Sequence, residues 1–287
     1  MNNDEITRRD FVSMTVAAGI SAAATTNAQQ KLTETDVTIK TEDGTCDAAF
    51  IHPAAGSHAA VIIWPDAFGL RPAMRDMARR LAGDGYSVLV PNPFYRVAKA
   101  PLFETASNFN FGDPAERSKL GPLMGSIGAA GAAEKDATAF VAWLDTQKAV
   151  DRGKKIGTQG YCMGGALVMR TAAAVPARIG AGASFHGGGL VTINPNSPHL
   201  LVPKMKARMY IAVAANDDAQ QPDAKTKLKE AFDAAKVPAE VEVYSQAQHG
   251  WCVPDMPMQG NGQPTYSKSD AERAWGKLLA LYKAALS

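Results

Sequence analysis

The chain of 287 residues is long enough for one large α/β domain or two small ones. Hydrophobic residues make up 46% of it and charged residues 20%, and 30 Lys and Arg against 28 Asp and Glu leave a formal net charge of +2. This composition is that of a packed globular protein, which excludes disorder as the default. The balanced charge, without a long basic run, argues against a nucleic acid or an anionic membrane as a partner.

The N-terminal segment has the pattern of an export signal. Arg8 and Arg9 precede a moderately apolar stretch of small residues at 13–24, and a small-x-small cleavage site ends at Ala28. Paired arginines ahead of a weak apolar region are typical of twin-arginine signals, and the stretch is shorter than the roughly 20 residues of a membrane span. We predict a signal peptide over 1–28, export to the periplasm or medium, and no stable membrane anchor. The alternative is an amphipathic N-terminal helix of a cytosolic protein.

After this segment, strand-like and helix-like patterns alternate along the chain. In order, they predict strands at 36–41, 48–52 and 60–64, a helix at 72–83, a strand at 86–90, a helix at 132–145, a strand at 155–159, a helix at 162–174, strands at 179–185 and 207–214, a helix at 222–235, a strand at 240–244 and a helix at 269–286. Residues 96–131 carry much Gly, Pro and Ser with little periodicity, and we interpret them as a loop-rich excursion over the sheet. The alternation predicts one α/β domain over 29–287, with a mostly parallel central sheet and helices on both faces.

Cys46, Cys162 and Cys252 are widely and irregularly spaced. An odd count of this kind predicts neither a disulfide framework nor a zinc site. One cysteine with a reactive role fits this pattern better than three with structural roles. No histidine pair has metal-ligand spacing, so we expect no metal and no cofactor.

The run Gly160-Tyr161-Cys162-Met163-Gly164-Gly165 lies where a predicted strand meets a predicted helix. A nucleophile at the tip of so sharp a turn needs glycine on either side of it. The N-terminus of the helix favours the thiolate of Cys162, and the backbone N–H of Met163 is placed to donate to an oxyanion. The alternative is a glycine-rich turn with a small buried cysteine, which is common in α/β proteins.

Two acids and a histidine follow later predicted strands. Asp217 and Asp218 come shortly after the strand at 207–214, and His249 follows the strand at 240–244. Because the carboxyl ends of parallel strands meet at one edge of a sheet, we expect these side chains to lie beside the turn at Cys162. The chain order nucleophile, acid, histidine fits a triad in which His249 takes the thiol proton and the acid orients the imidazole.

Five motifs stand in order along the chain: Pro65–Leu70, Pro91–Arg96, the glycine turn at 160–165, an acid four residues before Pro222, and His249-Gly250-Trp251. With these motifs the chain resembles the dienelactone hydrolase (carboxymethylenebutenolidase-like) family, over about residues 40 to 285. The resemblance implies an α/β-hydrolase fold and the cleavage of small carboxylic esters or lactones through an acyl-enzyme intermediate.

The resemblance also implies roles for individual residues. The family's Cys-Asp-His triad maps onto Cys162, an aspartate and His249. We choose Asp218 as the acid, because the family places a proline four residues after it and Pro222 stands there; Asp217 is the alternative.

The loop after the early buried strand carries two further expectations from the family. Asp66 stands where members usually have a glutamate near the resting thiol, one methylene longer. The backbone N–H of Ala67 is the expected second oxyanion donor.

Arg96 falls where members keep an arginine for the carboxylate of the substrate. A second such arginine, after the histidine, is missing, since that stretch reads Trp251-Cys252-Val253-Pro254. This departure favours a relative with its own substrate over a dienelactone hydrolase proper.

Three further residues, Tyr161, His186 and Trp251, are interpreted as pocket wall or auxiliary residues, and a place in the core is an equal alternative for Tyr161 and Trp251. The only partner we expect is a small-molecule ester or lactone, and the sequence leaves the oligomeric state open. A second hypothesis is a non-catalytic binding module that retains the fold. Such a module would be free to lose the triad residues, so their presence argues against it. Thiol redox chemistry is a weaker hypothesis, because there is no Cys-x-x-Cys.

Overall fold

The parallel sheet predicted from the sequence is present in a computed structural model, which describes residues 30–286. Its strands, in chain order, are β1 (Leu32–Thr41), β2 (Gly44–Pro53), β3 (Ala60–Trp64), β4 (Ser87–Pro91), β5 (Ile156–Tyr161), β6 (Ile179–Phe185), β7 (Arg208–Ala214) and β8 (Ala239–Tyr244). They form one eight-stranded sheet in the order β1-β2-β4-β3-β5-β6-β7-β8. The pairs β1–β2 and β2–β4 are antiparallel and the others are parallel. The predicted signal at 1–28 lies outside the described residues.

Helices cover both faces of this sheet. They are α1 (Pro72–Gly83), α2 (Pro114–Gly128), α3 (Ala132–Leu144), α4 (Met163–Ala174), α5 (Ala215–Gln220), α6 (Ala224–Ala235) and α7 (Lys268–Ala285), with a 3-10 turn at Pro198–Lys204. The core on one face joins the sheet to α3, α4 and α6, and the core on the other joins it to α1 and α7. No helix of residues 30–286 is long and apolar enough to cross a membrane.

Side-chain alternation along the strands builds the two cores. In β3, Ile62 and Trp64 belong to the core on the α4 face, whereas Val61 and Ile63 belong to the core on the α1 face. Successive side chains of a strand point to opposite faces, so a strand covered on both sides is apolar at every position. This is why the continuous apolar run at 60–64 predicts its strand correctly.

The parallel strands end together at one edge of the sheet. Trp64 pairs with Gly160, Tyr161 with Phe185, Phe185 with Ala212, and Ala214 with Tyr244, so these pairings link the carboxyl ends of β3, β5, β6, β7 and β8. The loops that follow these strands therefore lie side by side, which is where open α/β sheets place their ligands.

The interpretation of 96–131 as loop is wrong for its second half, which contains the 15-residue helix α2. Asp113 caps this helix by accepting the N–H of Ala115 at 2.8 Å, and Pro114 occupies its first turn. Inside the helix, Pro122 breaks the pattern that sequence reasoning looks for. Packing of its apolar side chains against the rest of the chain stabilises the helix despite that sequence.

Candidate active site

The turn between β5 and α4 has the strained geometry of a nucleophile elbow. Cys162 has φ 53° and ψ −117°, a conformation that side chains rarely adopt. A Cβ on Gly160 would come within 2.2 Å of the carbonyl oxygen of Gly164, and one on Gly164 within 2.4 Å of the carbonyl oxygen of Trp64. Both glycines are therefore required, and the predicted strand–turn–helix is confirmed.

The close approach of Gly164 to the carbonyl oxygen of Trp64 also places the loop after β3 against the elbow. Ala67 follows β3, Met163 begins α4, and both side chains are buried. Their backbone N–H groups thus belong to two loops in contact at adjacent strand ends, as two oxyanion donors require. The donor roles of Ala67 and Met163 remain predictions.

His249 lies beside an aspartate of α5. Its Nδ1 is 2.8 Å from Oδ2 of Asp217, and its backbone N–H donates to Oδ1 of Asn216 at 2.8 Å. The short helix α5 follows β7 directly, and its first residues face the loop that carries His249. The prediction of a histidine and an acid meeting at these strand ends is confirmed.

The choice of Asp218 as the partner of His249 is wrong. Both carboxylate oxygens of Asp218 accept from Nζ of Lys225 at 2.7 Å. Successive residues of a helix point about 100° apart, so only one of the two aspartates in α5 can face His249. The spacing to Pro222 does not show which one does.

The charge of His249 is set by two neighbours. Burial lowers the pKa of His249, but its hydrogen bonds to Asp217 and Cys162 and its electrostatic interactions with these two residues outweigh burial and raise the pKa to about 10. With Nδ1 engaged by Asp217, Nε2 is the nitrogen left for Cys162. The arrangement thus holds an imidazolium between a carboxylate and the sulfur.

His186 lies beneath the elbow, so the interpretation as pocket wall is wrong, and the interpretation as an auxiliary residue stays a prediction. It is fully buried, and its Nδ1 accepts the backbone N–H of Cys162 at 3.1 Å. Its ring lies 4.7 Å from the ring of His249 and 5.2 Å from that of Trp251. Burial, and then the charge of His249, lower the pKa of His186 well below its usual range. His186 is therefore a neutral acceptor for the nucleophile's backbone.

Tyr161 and Trp251 belong to the core, which is one of the two places that the sequence left open for them. Tyr161 stacks on Phe185 with ring centroids 5.3 Å apart and faces a cavity of about 180 Å³ beside α1 and α7. Trp251 is fully buried and stacks on Tyr244 at 4.9 Å.

Asp66 is not a free carboxylate beside the thiol of Cys162, because its oxygens already accept hydrogen bonds. Its two oxygens accept from Nη1 and Nη2 of Arg71 at 2.7 and 2.9 Å, and Oδ1 also accepts the N–H of Phe68 at 2.9 Å. Arg71 reaches further and donates to both oxygens of Asp255, at 2.8 and 2.7 Å. Sequence reasoning missed Arg71 and Asp255; the available signal was an arginine directly after the apolar run Phe68-Gly69-Leu70.

Arg96 does not face a substrate site, so the expected carboxylate clamp is wrong. Its guanidinium donates to both oxygens of Asp136 at 2.8 Å and to Asp43 at 2.8 and 3.2 Å. It also lies over the ring of Tyr95, 4.5 Å from the centroid. These contacts tie the loop after β4 to the β1–β2 hairpin and α3.

The three cysteines differ in exposure. Cys46 and Cys252 are buried free thiols, whereas Cys162 is a partly exposed free thiol. Burial raises the pKa of Cys252 well above its usual range, so that thiol stays protonated. Within residues 30–286, no three His, Cys, Asp or Glu side chains are grouped so as to hold a metal ion.

The family model of the dienelactone hydrolases matches residues 46–286. The carboxymethylenebutenolidase of Rhodococcus opacus is 24% identical over 248 residues, which cover 84% of this chain and 87% of that protein.

Two solved structures share the fold. One named m3DLH has a TM-score of 0.73 at 23% identity and covers 89% of this chain and 99% of its own. A dienelactone hydrolase-like promiscuous phosphotriesterase from metagenomic libraries has a TM-score of 0.71 at 24% identity, with the same coverage of 89% and 99%. The sheet, the covering helices and these likenesses establish the α/β-hydrolase fold. The match of the family model over most of the chain shows that the protein belongs to the dienelactone hydrolase family of hydrolases.

Proposed function

We propose that the protein hydrolyses small carboxylic esters or lactones, with Cys162 as nucleophile, His249 as general acid and base, and Asp217 as the acid that orients it. The observation that carries the proposal is the 2.8 Å contact between His249 and Asp217 beside the strained elbow of Cys162. The name of the Rhodococcus opacus relative, carboxymethylenebutenolidase, supports a lactone or ester as substrate.

Each step uses a group of this chain. The thiolate of Cys162 attacks the carbonyl carbon, and the N–H groups of Met163 and Ala67 stabilise the oxyanion. As the intermediate collapses, the leaving alkoxide takes a proton from Nε2 of His249 and a thioester remains on Cys162. Nε2 then removes a proton from water, the hydroxide attacks the thioester, and the acid product leaves as the thiolate reforms. Asp217 stabilises the imidazolium throughout.

The test compares two cysteine variants on a 4-nitrophenyl ester. Cys162→Ala is expected to lower kcat/KM by at least about a thousandfold, because no other group can form the thioester. Cys252→Ala is the matched control and is expected to stay within about threefold of wild type, since this thiol is buried in the core beside α1 and α7. Full activity in Cys162→Ala, with circular dichroism unchanged, contradicts the proposal.

For the N-terminal segment we propose export by the twin-arginine route. The support is the order of Arg8, Arg9, the weakly apolar stretch and the small residues before Gln29. Replacing both arginines by lysine keeps the charge and is expected to retain the protein in the cytoplasm of a bacterial host. Unchanged periplasmic recovery of that double variant contradicts export by this route.

A further inference from the structure

The cavity beside α1 and α7 has walls made largely of aromatic rings. It has a volume of about 180 Å³, and its aromatic lining residues are Tyr161, Phe185, Tyr266 and Trp275. Tyr161 and Phe185 are stacked on each other and are each only 2% exposed, so this side of the cavity is deeply buried. Most of the other lining residues are small or apolar: Met77, Cys252, Pro254, Ala271 and Ala274. Apolar cavities of about 150 Å³ bind molecules of the size of benzene.

The polar side chains inside this cavity are neutral. The hydroxyl of Tyr161 accepts an N–H of Gln159 at 2.7 Å. Burial raises the pKa of Tyr266 and of Cys252, so the phenol and the thiol both stay protonated. Because an ionised group would lose its hydration among these rings, the interior favours an uncharged ligand.

Two charged residues, Asp76 and Arg80, also line the cavity, and both are paired at its exposed rim. Asp76 binds Arg79, and Arg80 donates to both oxygens of Glu272 at 2.8 and 2.6 Å. The guanidinium of Arg80 also lies over the ring of Trp275, 4.3 Å from its centroid. The two ion pairs together carry no net charge and face water, so an ionised ligand gains little attraction at the rim.

The cavity lies behind the candidate site and is separate from it. Tyr161 directly precedes Cys162 at the end of β5. Phe185 directly precedes His186 at the end of β6. The residues that line the cavity do not include any member of the proposed triad. A ligand there would therefore contact the strand ends that carry the candidate site without occupying it.

We infer that this cavity is a second binding site, separate from the proposed active site, for one neutral aromatic ring of about the size of benzene. An apolar ring gains free energy when it leaves water, and edge-to-face or offset contacts with the aromatic walls add to that gain. The inference goes beyond the proposed hydrolysis and does not depend on it.

The first test measures the binding of fluorobenzene to the purified protein through the fluorine NMR signal of the ligand. We expect a saturable change in this signal with a Kd of about 1 mM or tighter, which a ligand of this size reaches in a fitted cavity. Because the measurement needs no turnover, it tests the cavity whether or not the protein is a hydrolase. A signal that does not saturate up to the solubility limit overturns the inference.

Leucine variants of α7 locate the bound ring. Ala274→Leu and Ala271→Leu each place an isopropyl group in the cavity and are expected to weaken binding at least about tenfold. Ala280→Leu is the matched control, because Ala280 is exposed on the same helix and lines a different cavity, beside β8. It is expected to keep the wild-type Kd. Wild-type binding in either of the first two variants with circular dichroism unchanged, or weaker binding in Ala280→Leu, overturns the inference.

Two further probes test the class of ligand. 4-Fluorobenzoate carries an ionised carboxylate on the same ring and is expected to bind at least about tenfold more weakly, because the carboxylate would lose hydration. Fluorocyclohexane has a similar size without the aromatic ring and is expected to bind at least about threefold more weakly, because it loses the contacts between aromatic rings. Binding of either probe as tight as that of fluorobenzene contradicts a site for neutral aromatic rings.

Steady-state kinetics separates this cavity from the proposed active site. Saturating fluorobenzene is expected to leave the KM for a 4-nitrophenyl ester within about twofold of its value without ligand. A KM that rises in proportion to the fluorobenzene concentration places the ring in the active site and overturns the inference. Absence of any turnover contradicts the proposed function instead, and the leucine variants then decide the inference by binding alone.

Discussion

Two regions meet at the candidate site and are held together in different ways. In the first, which we call the strand-end region, Cys162, Asp217 and His249 follow the neighbouring strands β5, β7 and β8, and main-chain pairing of the sheet brings them together. In the second, the excursion region, the loop at Asp66 and the 96–131 segment are joined by side chains. Arg71 donates to Asp255, 184 residues further along the chain, and Asp255 in turn accepts the N–H of Ala106 in the 96–131 segment.

Because the two regions are held together in different ways, we expect substitutions to affect the reacting residues and the surrounding loops differently. Backbone pairing holds the strand-end region, so its geometry tolerates change in most side chains around it. The excursion region depends on one buried guanidinium, whose partner Asp255 also accepts the N–H of Ala106 at 3.0 Å. Substitutions there can change the loop at Asp66 and the 96–131 segment while the reacting groups stay in place.

The largest expected effect tests the strand-end region at α5, where two adjacent aspartates have different partners. Asp217→Asn is expected to lower kcat/KM for a 4-nitrophenyl ester by about a thousandfold, since it removes the charge that stabilises the imidazolium. Asp218→Asn, one position along the same helix, loses only an ion pair with Lys225 and is expected to stay within about threefold of wild type. The reverse result would restore Asp218 as the triad acid.

The next effect tests the excursion region through stability. Arg71→Met leaves the buried Asp66 facing Asp255 without a cation, which is expected to lower the free energy of unfolding in urea by about 3–5 kcal/mol. Arg79→Met is the matched control, because Arg79 binds Glu34 and Asp76 on the surface and contributes below about 1 kcal/mol. Equal losses in both variants would mean that the junction is no stronger than a surface ion pair.

A pH titration of stability sharpens the contrast between the regions. The pKa of His249 is about 10 in the folded chain against the ordinary value of 6.5, so its contribution is complete below about pH 6.5 and is lost as the pH rises through 10. Between pH 7.5 and 9.5, wild type is expected to lose about 2 kcal/mol more stability than His249→Gln. Arg71→Met should keep the wild-type slope. Parallel curves for wild type and His249→Gln would contradict the raised pKa.

The smallest effect concerns the acceptor beneath the elbow. His186→Leu removes one of the two acceptors of the Cys162 N–H, the other being the carbonyl of Phe185 at 3.1 Å, and is expected to lower kcat about tenfold with KM within about twofold, because the backbone of the nucleophile is held less firmly. His186→Gln offers an amide acceptor and should recover part of the rate. His199→Leu is the control, since the imidazole of His199 binds the hydroxyl of Ser197 in the 3-10 turn region, away from Cys162. A change in KM alone would mean that His186 acts on substrate binding.

The sequence predicted the strand-end region well and the excursion region poorly. Gly160 and Gly164 mark the elbow because no other residue fits against the carbonyl groups they face, and His249 follows its strand within a few residues. Such signals are local. The partners of Arg71 and Arg96 include charged side chains from distant segments, Asp255 for Arg71 and Asp136 for Arg96, and the local sequence pattern does not indicate which pairs form. The sequence did not predict the helix α2 for a related reason, because tertiary packing, and not periodicity, stabilises it.

By itself, the sequence determined the α/β sheet, the glycine elbow at Cys162 and the edge at which an acid and a histidine meet it. These follow from the period of two along strands, the space that glycine leaves and the shared direction of parallel strands. Only the tertiary structure decided that Asp217 faces His249, that Tyr161, His186 and Trp251 are buried, and that Arg71 binds Asp255. Those outcomes depend on side-chain direction and on contacts between distant segments, which are settled only when the core packs.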